Sequence, residues 1–298
     1  NYYGKDSVNN FVNLIMTEPY LDIICSKKIK IEEKKNLITS INGKEIYPNV
    51  IRSLYKGKIS SIQGYTNGYW WIQDIGSFIQ FIILQKKIFK NFENRNVKDL
   101  KLLDLCAAPG GKTIQILDNG MNVFSVDRSL SRINIMTKNI KRLRLNPTII
   151  CQDASTISTR TKFDVILIDA PCSSTGTIRK NPDILLRTHQ NDINNIIETQ
   201  KKILSNASNL LNKNGLLMYV VCSLEKNEGE KIIIDFCKNN KKFKIDPICY
   251  SEVNIENSSI YTADGFLRLL PNSFVFSKNK RFNGSDGFFS AIIKKTEN

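Results

Sequence analysis

Between Lys101 and Val221 the chain alternates short, almost wholly apolar runs with longer amphipathic stretches, and no other feature restricts its fold as much. Lys101 to Cys106, Asn122 to Val126, Thr148 to Gln152, Phe163 to Ile168 and Leu216 to Val221 read as strands. Among them, Lys112 to Leu117 begins a helix, Leu130 to Leu145 sets Ile133, Met136, Ile140 and Leu143 on one face, and Asp192 to Leu211 reads as a long helix. Strands covered on both faces lose the in–out alternation of a half-exposed sheet. The pattern therefore predicts a doubly wound, Rossmann-like α/β fold, mostly parallel, with helices on both faces. Phe243 to Ile245, Phe266 to Leu270 and Phe288 to Ile293 are expected as late, partly antiparallel strands, and Ser77 to Lys90 as a helix ahead of the sheet. Residues 1–72 read as a small α+β module, with an amphipathic segment at Val8 to Met16, an apolar run at Leu21 to Cys25 and turn signals at Asn42-Gly43 and Asn67-Gly68. The expected division is 1–72 and 73–298.

At 298 residues and 41% hydrophobic content the chain can bury a core, which excludes disorder and a disulfide scaffold. Its longest apolar runs, Phe78 to Leu84 and Leu216 to Val221, are too short to span a bilayer, and no secretory signal opens it. Lys plus Arg number 43 and Asp plus Glu 28, leaving +15, which points to a polyanion such as nucleic acid. A Lys-, Asn- and Ile-rich composition also follows from an AT-biased genome, so charge alone leaves both origins open. The seven cysteines show no C-x-x-C spacing, which argues for a reducing, cytoplasmic setting without disulfides or a metal site. The single histidine, His189, reads as a surface or helix-start residue.

Ligands of such sheets bind at the carboxyl ends of the strands. The first strand runs into Cys106-Ala107-Ala108-Pro109-Gly110-Gly111-Lys112-Thr113, where small residues permit close backbone approach. Three readings compete. G-x-x-x-x-G-K-S/T is matched at Gly111, Lys112 and Thr113, and Val165 to Asp169 resembles a magnesium-holding strand, but Cys106 replaces the first glycine. A dinucleotide site needs G-x-G-x-x-G, which is absent. S-adenosylmethionine carries no phosphate and asks only for close approach, with Asp127 placed for its ribose hydroxyls and Asp153 for its adenine. Both aspartates could instead merely cap turns.

Two later strands end in Asp169-Ala170-Pro171-Cys172 and Val221-Cys222-Ser223. Methylation of an exocyclic amine usually employs D/N-P-P-Y/F at the first position; here a cysteine follows the proline, which suits thiol chemistry on carbon. Cytosine C5 becomes nucleophilic once a thiolate adds at C6, and a base must then remove the C5 proton. The competing reading is that both cysteines are ordinary buried residues.

Taken together, LDLCAAPGGKT (Leu103 to Thr113), Val126-Asp127, Gln152-Asp153, FDVILIDAPCSSTGTIRKNPDI (Phe163 to Ile184) and VCSLEKNEG (Val221 to Gly229) resemble the Nop/Sun family of RNA cytosine-5 methyltransferases. Gly68 to Ser77 and Ser285 to Ile293 extend the likeness to about residues 20–295, and GFLRLLP at Gly265 to Pro271 is most like the RsmB/Sun branch acting on 16S rRNA. The resemblance implies a class I methyltransferase domain with S-adenosylmethionine as cofactor and RNA as partner, acting as a monomer without metal or membrane. It further implies Cys222 as nucleophile and Cys172 as base or release residue. Cys106, Ala107, Ala108, Pro109, Gly110, Gly111, Lys112, Asp127, Asp153 and Asp169 would line the cofactor, and Asp169 could also face the cytosine. Val221, Asn181 and Ile75 depart from the family's usual Thr, His and Glu. RsmB proteins usually carry an upstream NusB-like helical domain; its absence here agrees with a chain that starts at Asn1 rather than Met. The same chemistry on tRNA, a P-loop NTPase and an idle RNA-binding or assembly factor are the alternatives.

A stacked cytosine cannot present C6 to a thiolate, so the target should be unpaired or flipped out. Lys27, Lys28, Lys30, Lys34, Lys35, Arg179 and Lys180 are candidate phosphate contacts, whereas Lys238 to Lys244 reads as a solvated helix end. Tyr69, Trp70 and Trp71 fit core packing better than base stacking.

Overall fold

In the computed structural model the described residues are 3–4, 9, 11–13, 18–187, 189–253, 255, 257–276 and 282–296. Most of the expected amphipathic segment at Val8 to Met16 lies outside them.

Two sheets organise the chain. The first comprises β1 (Leu21–Cys25), β2 (Lys44–Tyr47), β3 (Val50–Ser53) and β4 (Trp70–Ile72), in the order β2-β3-β1-β4 and antiparallel throughout. Helix α1 (Ile31–Ser40) lies between β1 and β2 in sequence. Because side chains alternate along a strand, Ile23, Cys25 and Trp70 pack with Leu37 of α1, while Ile24, Val50 and Trp71 join the main core. Both tryptophans are buried, as the packing reading expects.

The second sheet holds β5 (Leu102–Leu105), β6 (Val123–Asp127), β7 (Thr148–Cys151), β8 (Phe163–Asp169), β9 (Leu211–Val221), β10 (Phe243–Ile245), β11 (Leu267–Leu269) and β12 (Phe288–Lys295). Its order is β10-β12-β9-β8-β5-β6-β7, with β11 on β12. Strands β5 to β9 pair in parallel and the late strands antiparallel, as the sequence predicts. Val165, Leu167 and Met218 bury one face under α2 (Ile75–Asn91), α3 (Gly111–Asp118) and α4 (Leu130–Arg142). Ile166, Ile168, Tyr219 and Val221 bury the other under α5 (Gln190–Leu210) and α6 (Glu230–Asn239). This is the doubly wound, Rossmann-like sheet that the sequence predicts.

Two boundaries differ from expectation. Helix α4 stops at Arg142, three residues short, because Arg144 turns left-handed at φ 55°. Strand β9 starts at Leu211, opposite Phe163, ahead of the expected Leu216, with Asn214 at φ 59° within an irregularity of the pairing.

Candidate active site

The chain runs from β5 outward to β6 and β7, then crosses to β8 and β9 on the other side of β5, so strand order reverses at β5. A cavity of about 320 Å³ opens there at the strands' carboxyl ends, lined by Cys106, Asp127, Asp153, Asp169, Cys172 and Cys222 among others. A second cleft of about 720 Å³ runs between the two sheets, past Trp71, Asp74, Ser77, Lys112, Lys180 and Asp286. Asp169 and Cys222 line both. The two spaces therefore meet at these two side chains.

The turn after β5 forms the partition. Cys106 takes φ 60° and Gly110 φ 104°, and a Cβ on Gly110 would come within 2.7 Å of Met136. Asp127 braces the turn by accepting the Ala108 amide at 3.0 Å, and also accepts the Ser129 amide at 2.9 Å. Arg132 donates to the Ala108 carbonyl. Of the expected cofactor residues in the turn, only Cys106 lines the cavity; Ala107, Pro109, Gly111 and Lys112 line the cleft, and Ala108 and Gly110 line neither. Burial, reinforced by Asp169 and Asp127, pushes the Cys106 thiol up to about 12, so it stays protonated. Asp153 accepts the Ser155 amide and hydroxyl at 2.8 and 2.6 Å, bonds that lower its pKa.

A phosphate-binding loop is inconsistent with this geometry. The Ala108 amide is already taken, Lys112 Nζ donates to Asp169 at 2.7 Å and Ser77 at 3.1 Å on the cleft side, and three carboxyl groups line the cavity. Among the described residues no cluster of His, Cys, Asp or Glu is placed to hold a metal, and no helix is long and apolar enough to cross a membrane.

Cys172 and Cys222, fifty positions apart, bring their sulfurs to 3.4 Å. Both are free thiols, since a disulfide requires about 2.05 Å. The Cys172 hydrogen bond lowers the pKa of Cys222 against the opposing effect of burial, with help from Ser174 at 3.6 Å and the Lys112 charge. The same contact, together with burial, raises that of Cys172. The two shifts run in opposite directions, as they do when one thiol of a close pair holds a proton against the other.

Glu228 ties the two cysteine loops together. Its fully buried carboxyl accepts the Ser173 amide at 2.9 Å, the Ser173 and Ser223 hydroxyls at 2.5 Å each, and Gln200 at 3.0 Å. It lies within the VCSLEKNEG segment at Val221 to Gly229, but the sequence assigns it no role. Asp74 was also missed, although an acid just before an apolar helix is a recognisable N-cap. It accepts the Gly76 amide at 2.8 Å and pairs with Lys180 at 2.7 Å and Arg179 at 3.4 Å. This corrects the expectation for Arg179, which is buried in that ion pair and is no phosphate contact. Lys180 bridges Asp74 and Asp286. Lys27, Lys28, Lys30 and Lys35 are exposed, Lys34 pairs with Glu45, and His189 caps α5 from the surface.

A family model described as 16S rRNA methyltransferase RsmB/F matches residues 92–294. The chain is 30% identical over 289 residues to ribosomal RNA small subunit methyltransferase B of Pasteurella multocida, covering 94% of this chain and 56% of that protein. It is 33% identical over 200 residues to ribosomal RNA small subunit methyltransferase F of Shewanella piezotolerans, covering 65% and 40%. The chain spans about half the length of the curated relatives it matches. Among solved structures, NSun6 from Pyrococcus horikoshii with SFG superposes with a TM-score of 0.79 at 18% identity, covering 99% of this chain and 96% of that one, a likeness of fold.

Proposed function

The chain belongs to the RsmB/F family of 16S rRNA methyltransferases, and from that premise we propose that it methylates C5 of a cytosine in small-subunit ribosomal RNA through a transient bond between Cys222 and C6. The observation that carries this reading is the pair of thiols 3.4 Å apart at the wall shared by two cavities.

The residues of the first cavity suit S-adenosylmethionine. It lies at the reversal of strand order, offers carboxyl groups to hydroxyls and an amine, and holds no anion nest. Asp127 and Asp153 would hold the nucleoside, and Cys106 and Pro171 the walls. When bound, this cofactor supplies an electrophilic methyl group on a sulfonium. The cleft takes the flipped base. Cys222, as thiolate, bonds to C6; the C5=C6 π pair shifts into the ring and makes C5 nucleophilic. Once Cys222 is bonded to carbon, the contact that kept Cys172 protonated is gone. Once C5 carries the methyl group, Cys172, having released its own proton to solvent, takes the C5 proton as a thiolate, the C5–H pair restores C5=C6, and the C6–S bond breaks to return Cys222 as a thiolate. Lys28 Nζ reaches the Leu143 carbonyl next to cleft-lining Arg142, and the exposed Lys27, Lys28 and Lys30 would meet the RNA backbone.

The test is a Cys172→Ala variant incubated with small-subunit rRNA transcript and S-adenosylmethionine. A protein–RNA adduct stable on a denaturing gel is expected, because addition proceeds and release stalls. Absence of any adduct would overturn the role given to Cys172. Cys222→Ala should abolish methyl transfer while RNA binding persists.

A further inference from the structure

Lys180 is the cation whose setting the mechanism above leaves unexplained. Its Nζ donates to Asp74 Oδ2 at 2.7 Å and Asp286 Oδ2 at 2.8 Å. An ammonium has three N–H bonds, so one remains. The two carboxyl side chains are 5% and 9% exposed, whereas that of Lys180 is 31% exposed, and it opens on the cleft that also contains Cys222 and Asp169. A short backbone stack fixes its position relative to the nucleophile. The Gly176 amide donates to the Cys222 carbonyl at 3.0 Å, the Gly287 amide to the Gly176 carbonyl at 2.8 Å, and the Lys180 amide to the Thr177 carbonyl at 2.9 Å.

Building on the methyltransferase reading, we infer that Lys180 touches the target base, donating its free N–H to the N3/O2 edge of the cytosine and balancing the negative charge that arrives there as Cys222 adds to C6. Thiolate addition sends the C5=C6 pair through C4 to N3 and O2, so a donor waiting at that edge binds the adduct more tightly than the resting ring. The surroundings favour this role over phosphate binding. Asp74 and Asp286 against Lys180 and Arg179 leave the cluster near neutrality, so it exerts little long-range pull on a polyanion. What it offers is a short-range donor that two buried carboxyl groups hold in place. The same donor discriminates between bases: cytosine presents an acceptor at N3, while uracil presents N3–H, a donor facing a donor. Asp74 and Asp286 are then positioning residues.

The test compares wild type, Lys180→Met, Lys180→Arg and the double variant Lys180→Met/Asp286→Asn, measuring methyl transfer to small-subunit rRNA transcript. Lys180→Met alone strands the Asp286 carboxyl group, while Asp74 keeps Arg179 and the Gly76 amide, and can destabilise the fold. The double variant removes one charge of each sign and recovers stability. Both Met variants should lose about 100-fold or more in kcat with KM for RNA within about threefold, as removal of a transition-state donor does, and Lys180→Arg should recover part of the loss. A double variant that folds and turns over within about twofold of wild type would overturn the inference. Wild-type protein that leaves every cytosine of the transcript unmethylated would instead overturn the methyltransferase reading, and this inference with it.

Discussion

Glu228→Ala tests whether one buried carboxyl group sets the distance between the two thiols. The side chain accepts four hydrogen bonds in wild type. Some donors can find other partners after truncation. Ser173 and Ser223 hydroxyls lie 3.1 Å apart, Thr175 is 3.2 Å from Ser223, and Gln200 keeps the Pro171 carbonyl at 2.8 Å. The Ser173 amide has no such alternative, and Gln200 loses one of its two bonds. A stranded buried donor costs about 1–3 kcal/mol. One full orphan, one partial orphan and a small void therefore predict a loss of about 3 kcal/mol in unfolding free energy, measured by urea denaturation. Glu228→Gln retains a carbonyl for Ser173 and Gln200 while its NH₂ donates to the hydroxyls, so it should lose only about 1 kcal/mol.

Activity should fall further than stability alone accounts for. With the loops released, Cys172 no longer donates reliably to Cys222, and the main influence lowering the Cys222 pKa is lost. Methyl transfer by Glu228→Ala should drop at least about tenfold, while S-adenosylmethionine affinity, which depends on the opposite side of the cavity, holds. If Glu228→Ala unfolds within about 0.5 kcal/mol of wild type and its Cys222 is alkylated at the wild-type rate, the clamp does not exist.

Three further outcomes are expected. In Cys172→Ala, Cys222 should react more slowly with iodoacetamide at neutral pH than in wild type, followed by mass spectrometry; equal rates would show that Cys172 does not lower its pKa. Burial pushes the Asp104 carboxyl from 3.8 up to about 7, so the folded chain keeps a proton that the unfolded chain has released. That stabilisation is complete below about pH 4 and disappears as pH rises through 7, up to about 4 kcal/mol in all. Asp104→Asn should flatten the decline seen in denaturation curves between pH 4 and 7, and an unchanged slope would refute the assignment. Gly176→Ala would push a Cβ into the Gly287 carbonyl oxygen and to 2.9 Å from the Cys222 carbonyl, so it should abolish activity. Crystals of that variant showing Cys222 unmoved would contradict the steric argument.

What the sequence revealed and what it concealed divide along physical lines. Strand β8 and the Leu216 to Val221 part of β9 are legible because a strand buried on both faces must be apolar at nearly every position. The thiols are legible because each ends such a strand, where ligands collect. Glu228 and Asp74 are not, because each owes its role to partners distant in the chain: Lys180 lies 106 positions from Asp74, and Ser173 lies 55 from Glu228. Arg179 and Lys180, adjacent in sequence, look alike as phosphate contacts. The fold buries one guanidinium against Asp74 and leaves the neighbouring ammonium partly open to the cleft.

The turn after β5 has a role that its resemblance to nucleotide-binding loops obscures. On the proposed mechanism, a thiolate approached by a pyrimidine from one side and by a methyl donor from the other needs a partition only one turn thick beside it. Cys106 faces the cavity while Ala107, Pro109 and Gly111 face the cleft, so the small side chains thin the wall on both surfaces. Asp127 takes the Ala108 amide for the same purpose: a turn pinned from behind keeps its shape with either side empty. Lys112, which in a phosphate-binding loop would reach back toward the anion, instead crosses into the cleft and grips Asp169, the other side chain common to both spaces. The arrangement places a cation and a carboxylate beside Cys222 where the two spaces meet, and under the proposed reaction they would orient both reactants.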